Sequence, residues 1–259
     1  MTLFTGYFDD SGRRDGLFPT AVVGGFVARP VEWLGFNHRW KKVLDKYGVD
    51  VHHQNKWSNH AKPFDDLEVW PETRRHDYLN ELIGLITSLD AVSIGAAVPI
   101  ERFETNFPSG RQYTSPFGYA AQCVFGRTAE VIKALVPDAR IAYVFESGTL
   151  GFGEVRRTFD ECLSNPTVKE EFGLISLTEA HKRDFMQLQA ADIMAYEVFK
   201  LYEKGDTKEL WNPRYPLKRI GDSMRGSWMT PSEDLLRQSA ELAETQRALD
   251  ELLSMRLPE

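Results

Sequence analysis

Runs of apolar residues predict the β-strands of this chain. Five runs are rich in Val, Ile, Phe, Ala and Gly and are bounded by residues that favour turns. They cover residues 3–9, 20–28, 91–100, 140–145 and 173–177. Asp10, Ser11 and Gly12 have turn chemistry, so the first two strands are predicted to form a hairpin.

Between these runs, apolar residues recur at helical spacing. The predicted helices cover residues 31–47, 72–89, 117–135, 154–163, 184–202 and 232–255. A hairpin followed by alternating strands and helices indicates the α/β class, with a mixed sheet covered by helices on both faces.

No Pro-, Gly- or Ser-rich linker divides the sequence, so residues 1–259 are predicted to form a single domain with helical and loop insertions. Residues 54–75 form a polar candidate insertion. Residues 203–231 form an irregular basic and aromatic segment, and the charged helix 232–255 is expected outside the core.

The chain has a net charge of −7, which argues against a protein that coats nucleic acid nonspecifically. It does not exclude a nuclease, because catalytic carboxylates themselves add negative charge. The N-terminus has no basic region followed by an apolar stretch, and no apolar run is long enough to cross a bilayer. A cytoplasmic location without membrane contact is therefore expected. The two cysteines, Cys123 and Cys162, fit no zinc pattern and suit a reducing compartment.

Three acidic residues stand in otherwise apolar elements. Asp9 ends the first predicted strand, Glu146 follows the strand 140–145, and Asp192 interrupts the apolar stripe of helix 184–202. A buried carboxylate is normally neutralised, paired with a base or bound to a cation. Because ligands bind beyond the carboxyl ends of strands in α/β sheets, these acids are predicted to converge on a cation. Mg²⁺ prefers such oxygen ligands.

Two motifs give the chain a likeness to a known family. Tyr7 to Gly12 resembles the opening Tyr-x-Asp-Glu-Ser-Gly strand, and Leu188 to Asp192 resembles the closing Leu-Gln-x-Ala-Asp helix, of the domain-of-unknown-function 3800 family. Asp50 to His52 is similar to its acid-x-His element, and 141–146 corresponds to its middle acidic strand. Asp10 departs from the usual Glu, and Glu146 stands where a shorter Asp is expected.

The resemblance implies a ribonuclease H-like fold in which Asp9, Glu146 and Asp192 are catalytic residues and metal ligands. The implied activity is that of a metal-dependent nuclease, a hydrolase of phosphodiester bonds. On this basis the cofactor is Mg²⁺ or Mn²⁺. We expect two ions about 4 Å apart, bridged by Asp9, which activate water and stabilise the leaving oxygen.

Further residues are predicted around this site. The candidates to lie beside the ligands are Asp10, His52, His181 and Gln189. The candidates to bind substrate are Lys182, Arg183, Arg214, Lys218 and Arg219. Basic residues track phosphates while aromatic residues stack on bases, so nucleic acid, either DNA or RNA, is the predicted partner.

Other functions fit parts of the same pattern. A catalytically silent nucleic-acid- or protein-binding module would keep the fold and pair Asp192 with Arg or Lys. A phosphoesterase acting on a small molecule would share the acids but need no basic track. Leu235, Leu242, Leu249 and Leu253 on the last helix offer an interface for a homo-oligomer or a protein partner.

Overall fold

The computed structural model describes residues 1–13, 19–107, 114–148, 151–203 and 212–254. The strands within this part of the chain are β1 (Thr2–Arg13), β2 (Thr20–Ala28), β3 (Ala91–Pro99), β4 (Ala139–Glu146), β5 (Leu174–Ala180) and β6 (Arg225–Met229). The helices are α1 (Pro30–Trp33), α2 (Phe36–Tyr47), α3 (Gln54–Ser58), α4 (Glu72–Thr87), α5 (Ile100–Asn106), α6 (Pro116–Leu135), α7 (Phe152–Ser164), α8 (Pro166–Phe172), α9 (Met186–Tyr202), α10 (Tyr215–Ser223) and α11 (Glu233–Ser254).

The strands form one mixed sheet in the order β5-β4-β1-β2-β3-β6. β2 is antiparallel to both β1 and β3. The other three pairings, β1 with β4, β4 with β5 and β3 with β6, are parallel. The predicted α/β class and mixed sheet are therefore confirmed.

Each face of the sheet supports its own hydrophobic core. Neighbouring side chains on a strand point to opposite faces, so Tyr7 and Phe8 of β1 belong to different cores. Tyr7 lies with Trp40 of α2 and residues of α4, α9 and α10. Phe8 lies with Phe125 of α6 and residues of α7 and α11. Helices thus cover both faces, as predicted.

Two predicted boundaries near the N-terminus are wrong. Residues 10–12 form no turn, because β1 continues to Arg13 and pairs with β2 throughout. Residues 14–18, between β1 and β2, lie outside the described residues. The predicted helix 31–47 is two helices, because Gly35 adopts a left-handed backbone (φ 71°) that interrupts the helix.

The predicted irregular segments are more ordered and more buried than expected. Within 203–231, the described residues include α10 and the sheet strand β6, while 204–211 lie outside the described residues. In the insertion 54–75, Trp57, Phe64 and Trp70 are buried in the core on the α9 side of the sheet, so they are not available to stack on a substrate.

The last helix is not outside the core. Leu236 of α11 is fully buried with residues of α6, and Tyr119 and Ser239 share a hydrogen bond of 2.9 Å between their hydroxyl groups. Leu242 is exposed, whereas the side chains of Leu249 and Leu253 lie outside the description. Among the described helices, none has both the length and the apolarity to cross a membrane.

Helix α9 approaches the sheet closely at Gly24 of β2. A Cβ atom on Gly24 would lie 2.9 Å from both the Cα and the N of Ala195. Such a distance is too short for carbon, so only glycine permits this approach. Gly24 is also the sheet neighbour of Asp9, and Asp192 lies one helical turn before Ala195. The contact therefore sets the separation between the two acids.

We expect Gly24→Ala to destabilise the protein by about 2 kcal/mol, because the added methyl group meets backbone rather than a movable side chain. The measurement is the free energy of unfolding in urea. Gly84→Ala is the matched control, since Gly84 is exposed on α4 with no atom within 4 Å of an added Cβ, and alanine favours helix. Equal stability of the two variants would contradict the close contact.

Candidate functional site

Strand register brings Asp9 and Glu146 to the same edge of the sheet. The last parallel pair of β1 and β4 is Phe8 with Phe145, so the next residue on each strand is an acid. Glu146 ends β4 as predicted, whereas Asp9 lies within β1, which continues past it along β2 alone. Asp9 is only 3% exposed, and its Oδ1 accepts a hydrogen bond of 2.8 Å from the backbone N–H of Asp10.

Helix α9 presents Asp192 to this edge. One of its carboxylate oxygens, Oδ2, accepts a hydrogen bond of 2.7 Å from the backbone N–H of Gln54. The other, Oδ1, lies 3.5 Å from the ammonium of Lys182, which also donates to Asp9 Oδ2 at 2.7 Å. The Lys182 ammonium therefore bridges the two aspartates.

The backbone of Lys182 is held in place as well. Its carbonyl accepts a hydrogen bond of 2.7 Å from Gln189 Nε2, and its N–H lies near enough to the carboxylate of Glu146 to favour the charged form of that acid. Lys182 thus pairs with Asp9 and Asp192 through its ammonium, and its N–H lies beside Glu146. The structure brings Asp9, Glu146 and Asp192 together, and they meet around a lysine.

Burial and charge act in opposite directions within this cluster. Burial raises the pKa of Asp9, and the nearby Lys182 ammonium offsets part of that effect. Burial also raises the pKa of Glu146, again opposed by Lys182. Burial alone would lower the pKa of Lys182, but the charges of Asp192, Asp9 and Glu146 outweigh it and raise the pKa. The cluster therefore stabilises a positive charge at its centre.

The fit of this site to a metal ion depends on the lysine. Within the described residues, no group of three His, Cys, Asp or Glu side chains is arranged to hold a metal ion as it stands. The donors nevertheless suit Mg²⁺ or Mn²⁺, since all three are carboxylates. The space between Asp9 and Asp192 already favours a cation, which is the Lys182 ammonium.

The residues predicted to lie beside the acids differ in their contacts with the site. Gln189 supports the site through Lys182, and its Oε1 accepts hydrogen bonds of 2.9 Å from Trp40 Nε1 and from the backbone N–H of His52. Asp10 contributes its backbone N–H to Asp9. His181 is exposed beside the site, where its Nδ1 shares a short hydrogen bond with the hydroxyl of Ser147.

His52 is buried behind the acids rather than facing them. Its Nδ1 and Nε2 lie 3.0 Å from the Tyr78 hydroxyl and from Gln54 Oε1, respectively. Gln54 Nε2 then donates at 2.7 Å to Glu197 of α9, whose other oxygen lies 3.4 Å from Arg214 Nε. This network fixes Gln54, whose N–H holds Asp192.

The predicted substrate-binding residues do not form one surface. Lys182 is engaged by the acids, and Arg214 by Glu197 and by the Ser58 hydroxyl, at 3.1 Å. Arg183, Lys218 and Arg219 are exposed, the last two on α10.

Sequence reasoning missed two contributors to the site, His53 and the backbone of Gln54. His53 is half-buried, and its pKa is lowered by burial although the charge of nearby Asp192 opposes that shift. The acid-x-His element predicted the adjacent His52 as a neighbour of the acids and gave no signal for His53. No residue pattern signals the Gln54 contact, since it is made by a backbone N–H.

Comparison with known proteins adds no family assignment: no protein-family model and no curated protein matches the chain.

The buried position of His52 predicts a specific loss of stability in acid. Burial lowers its pKa to about 4 from an ordinary value of about 6.5. Between these values the unfolded chain binds the proton more readily, so stability falls as the pH falls through this window. From pH 7 to pH 5 the loss should be about 2 kcal/mol.

Urea unfolding at the two pH values checks this expectation. His52→Asn should lack the corresponding part of the pH dependence, whatever its absolute stability, because all other titrating groups remain. His38→Asn, which removes an exposed histidine from α2, should retain it. An unchanged pH dependence in His52→Asn would show that His52 does not titrate in this way.

Proposed function

We propose that this protein is a divalent-metal-dependent nuclease that hydrolyses phosphodiester bonds at Asp9, Glu146 and Asp192. The single observation that carries the proposal is that carboxylates from β1 and α9 share the Lys182 ammonium, while Glu146 of β4 lies near enough for its charge to help raise the pKa of that lysine. One lysine ammonium neutralises the charge of only one carboxylate. Three acids around one lysine leave negative charge that a divalent cation would balance.

The architecture supports the proposal. An antiparallel hairpin at the centre of the sheet, with two parallel strands added beside β1, is compatible with the ribonuclease H-like fold that we propose. In that fold, acids from the first strand, a central strand and a late helix hold the metal. Asp9, Glu146 and Asp192 lie on the corresponding elements.

The roles of the chain's own groups follow from their contacts. Asp9, the most buried of the three acids, would hold the ion together with Glu146 and Asp192. Gln54 holds Asp192 in its orientation through the 2.7 Å hydrogen bond to Oδ2. A divalent ion bound there would supply an activated water molecule and charge stabilisation for the phosphate.

Exposed basic residues favour nucleic acid as the substrate. Lys218 and Arg219 project from α10, Arg225 begins the edge strand β6, and Arg183 lies next to the site in sequence. In a chain of net charge −7, these exposed basic side chains are groups that would attract phosphates. DNA and RNA are both candidates.

One observation favours a second function, a catalytically silent binding module. Lys182 pairs with both Asp9 and Asp192, as a purely structural ion pair would. In that case the acids would bind no metal, and the exposed basic residues would serve binding alone.

Metal binding separates the two functions. Isothermal titration calorimetry with Mn²⁺ should show binding to the wild type and a loss of at least about tenfold in affinity in both Asp9→Asn and Asp192→Asn, because each variant removes a charged ligand. Glu179→Gln is the control, since Glu179 is exposed on β5, next in register to Phe145. Binding that survives in both aspartate variants would exclude this site, and its absence in the wild type would favour the silent module.

Cleavage tests the activity itself. Labelled single- and double-stranded DNA and RNA, incubated with Mg²⁺ or Mn²⁺, should be cut by the wild type. Asp9→Asn should reduce the rate by at least about a hundredfold, because the most buried ligand is lost. Cleavage that persists in Asp9→Asn, or that resists removal of metal by a chelator, would refute the mechanism.

A further inference from the structure

The Lys182 ammonium lies where a metal ion would have to bind. It is 2.7 Å from Asp9 Oδ2 and 3.5 Å from Asp192 Oδ1. Mg²⁺ binds carboxylate oxygens at about 2.1 Å, so an ion bound to the same two oxygens would lie almost in contact with the ammonium. Two positive charges so close repel each other strongly. The ammonium and the metal ion therefore compete for these oxygens.

The attachment of Lys182 permits exchange without unfolding. Its backbone carbonyl is held by Gln189 and its N–H lies beside Glu146, whereas within the described part of the chain its ammonium pairs with the two aspartates. The side chain is 14% exposed, so solvent reaches a small part of it. Rotation about the flexible four-carbon stem would release the ammonium while the backbone stays in place.

A released ammonium would remain at the edge of the site. It is tethered to a fixed backbone next to Glu146, so it cannot move far from the acids. Burial makes solvent a poor partner for a positive charge near the cluster, and the strongest alternative partner is an anionic ligand. A phosphate group bound to the metal would be such a ligand.

We propose that Lys182 is an exchangeable counter-ion, which neutralises Asp9 and Asp192 without metal and, when a divalent ion displaces it, binds a phosphate oxygen of the substrate. The inference rests on the proposed metal-dependent function and deepens it. Lys182 would then keep the acids from repelling one another in the metal-free protein and become a catalytic residue in the loaded protein. Metal binding and phosphate binding would be linked through one side chain.

The first experiment measures Mn²⁺ affinity in Lys182→Met, which keeps an unbranched side chain but removes the charge. We expect Mn²⁺ to bind at least about tenfold more tightly than to the wild type, because the competing ammonium is gone. In the presence of Mn²⁺, the same variant should bind a labelled oligonucleotide more weakly. Opposite changes in the two affinities are not expected of a residue that only stabilises the fold.

A matched control excludes a general effect of charge. Lys56→Met also removes one positive charge, from an exposed lysine on α3 close to His53. It should change Mn²⁺ affinity by less than about threefold, because Lys56 makes no contact with Asp9 or Asp192 among those described. If Lys56→Met tightens binding as much as Lys182→Met, displacement is refuted. Unchanged or weaker Mn²⁺ binding in Lys182→Met would also overturn the proposal.

A second measurement uses the wild type and does not depend on the folding of a variant. Lysine acetylation followed by mass spectrometry reports the access of a reagent to each side chain. Labelling of Lys182 should increase at least about fivefold when Mn²⁺ is added, whereas that of Lys56 should not change. Unchanged labelling of Lys182 under conditions where calorimetry shows bound Mn²⁺ would overturn the exchange.

The results distinguish failure of this inference from failure of the proposed function. If Asp9→Asn abolishes Mn²⁺ binding and cleavage but Lys182→Met leaves Mn²⁺ affinity unchanged, the nuclease assignment stands and the exchange is wrong. If neither the wild type nor Lys182→Met binds Mn²⁺, the exchange is also wrong, and the metal site falls with it.

Discussion

The site depends on the close approach of α9 to the central hairpin. At Gly24, a side chain as small as a methyl group would push the helix away from β1 and β2. That contact places Asp192 beside Asp9, although the two residues are far apart in the sequence. Carboxylates so close repel each other, so packing alone would not hold them there. The Lys182 ammonium reduces the repulsion between the two carboxylates and so permits this packing.

Around this contact, a series of hydrogen bonds positions the charged residues of the site. Lys182 is positioned by Gln189, and Gln189 in turn is held by Trp40 and by the backbone of His52. Asp192 is positioned by Gln54, which belongs to the hydrogen-bond network of His52 and Glu197. The polar groups behind the acids therefore fix their orientation, and the buried aromatic residues of 54–75 anchor the segment that contains Gln54.

Much of the fold and the three acids were predictable from the sequence, because they depend on local patterns. Apolar periodicity located the strands β1 to β5 and most long helices. An acid in an apolar element identified Asp9, Glu146 and Asp192. β6 was missed because it is short and contains Gly226 and exposed Arg225, so its pairing with β3 comes from tertiary contact rather than from propensity.

The position of Lys182 was not predictable for a related reason. Together with Arg183 it was predicted to bind substrate, and only the turn before α9 directs its side chain towards the acids. Likewise, the contact of Gln54 with Asp192 is made by backbone, which leaves no mark on the residue type. Local patterns thus indicated which groups carry charge, while long-range geometry decided which of them meet.

The long separation of the partners in sequence has a consequence for biosynthesis. Lys182 and Asp9 are 173 positions apart, and Asp192 follows later still. During translation, β1, β2 and β4 are synthesised well before α9. Asp9 and Glu146 are therefore exposed to solvent until α9 is available to cover them. The ammonium and the last acid then arrive together, ten residues apart on one segment. The nascent chain therefore never has to bury the complete set of acids without its counter-charge.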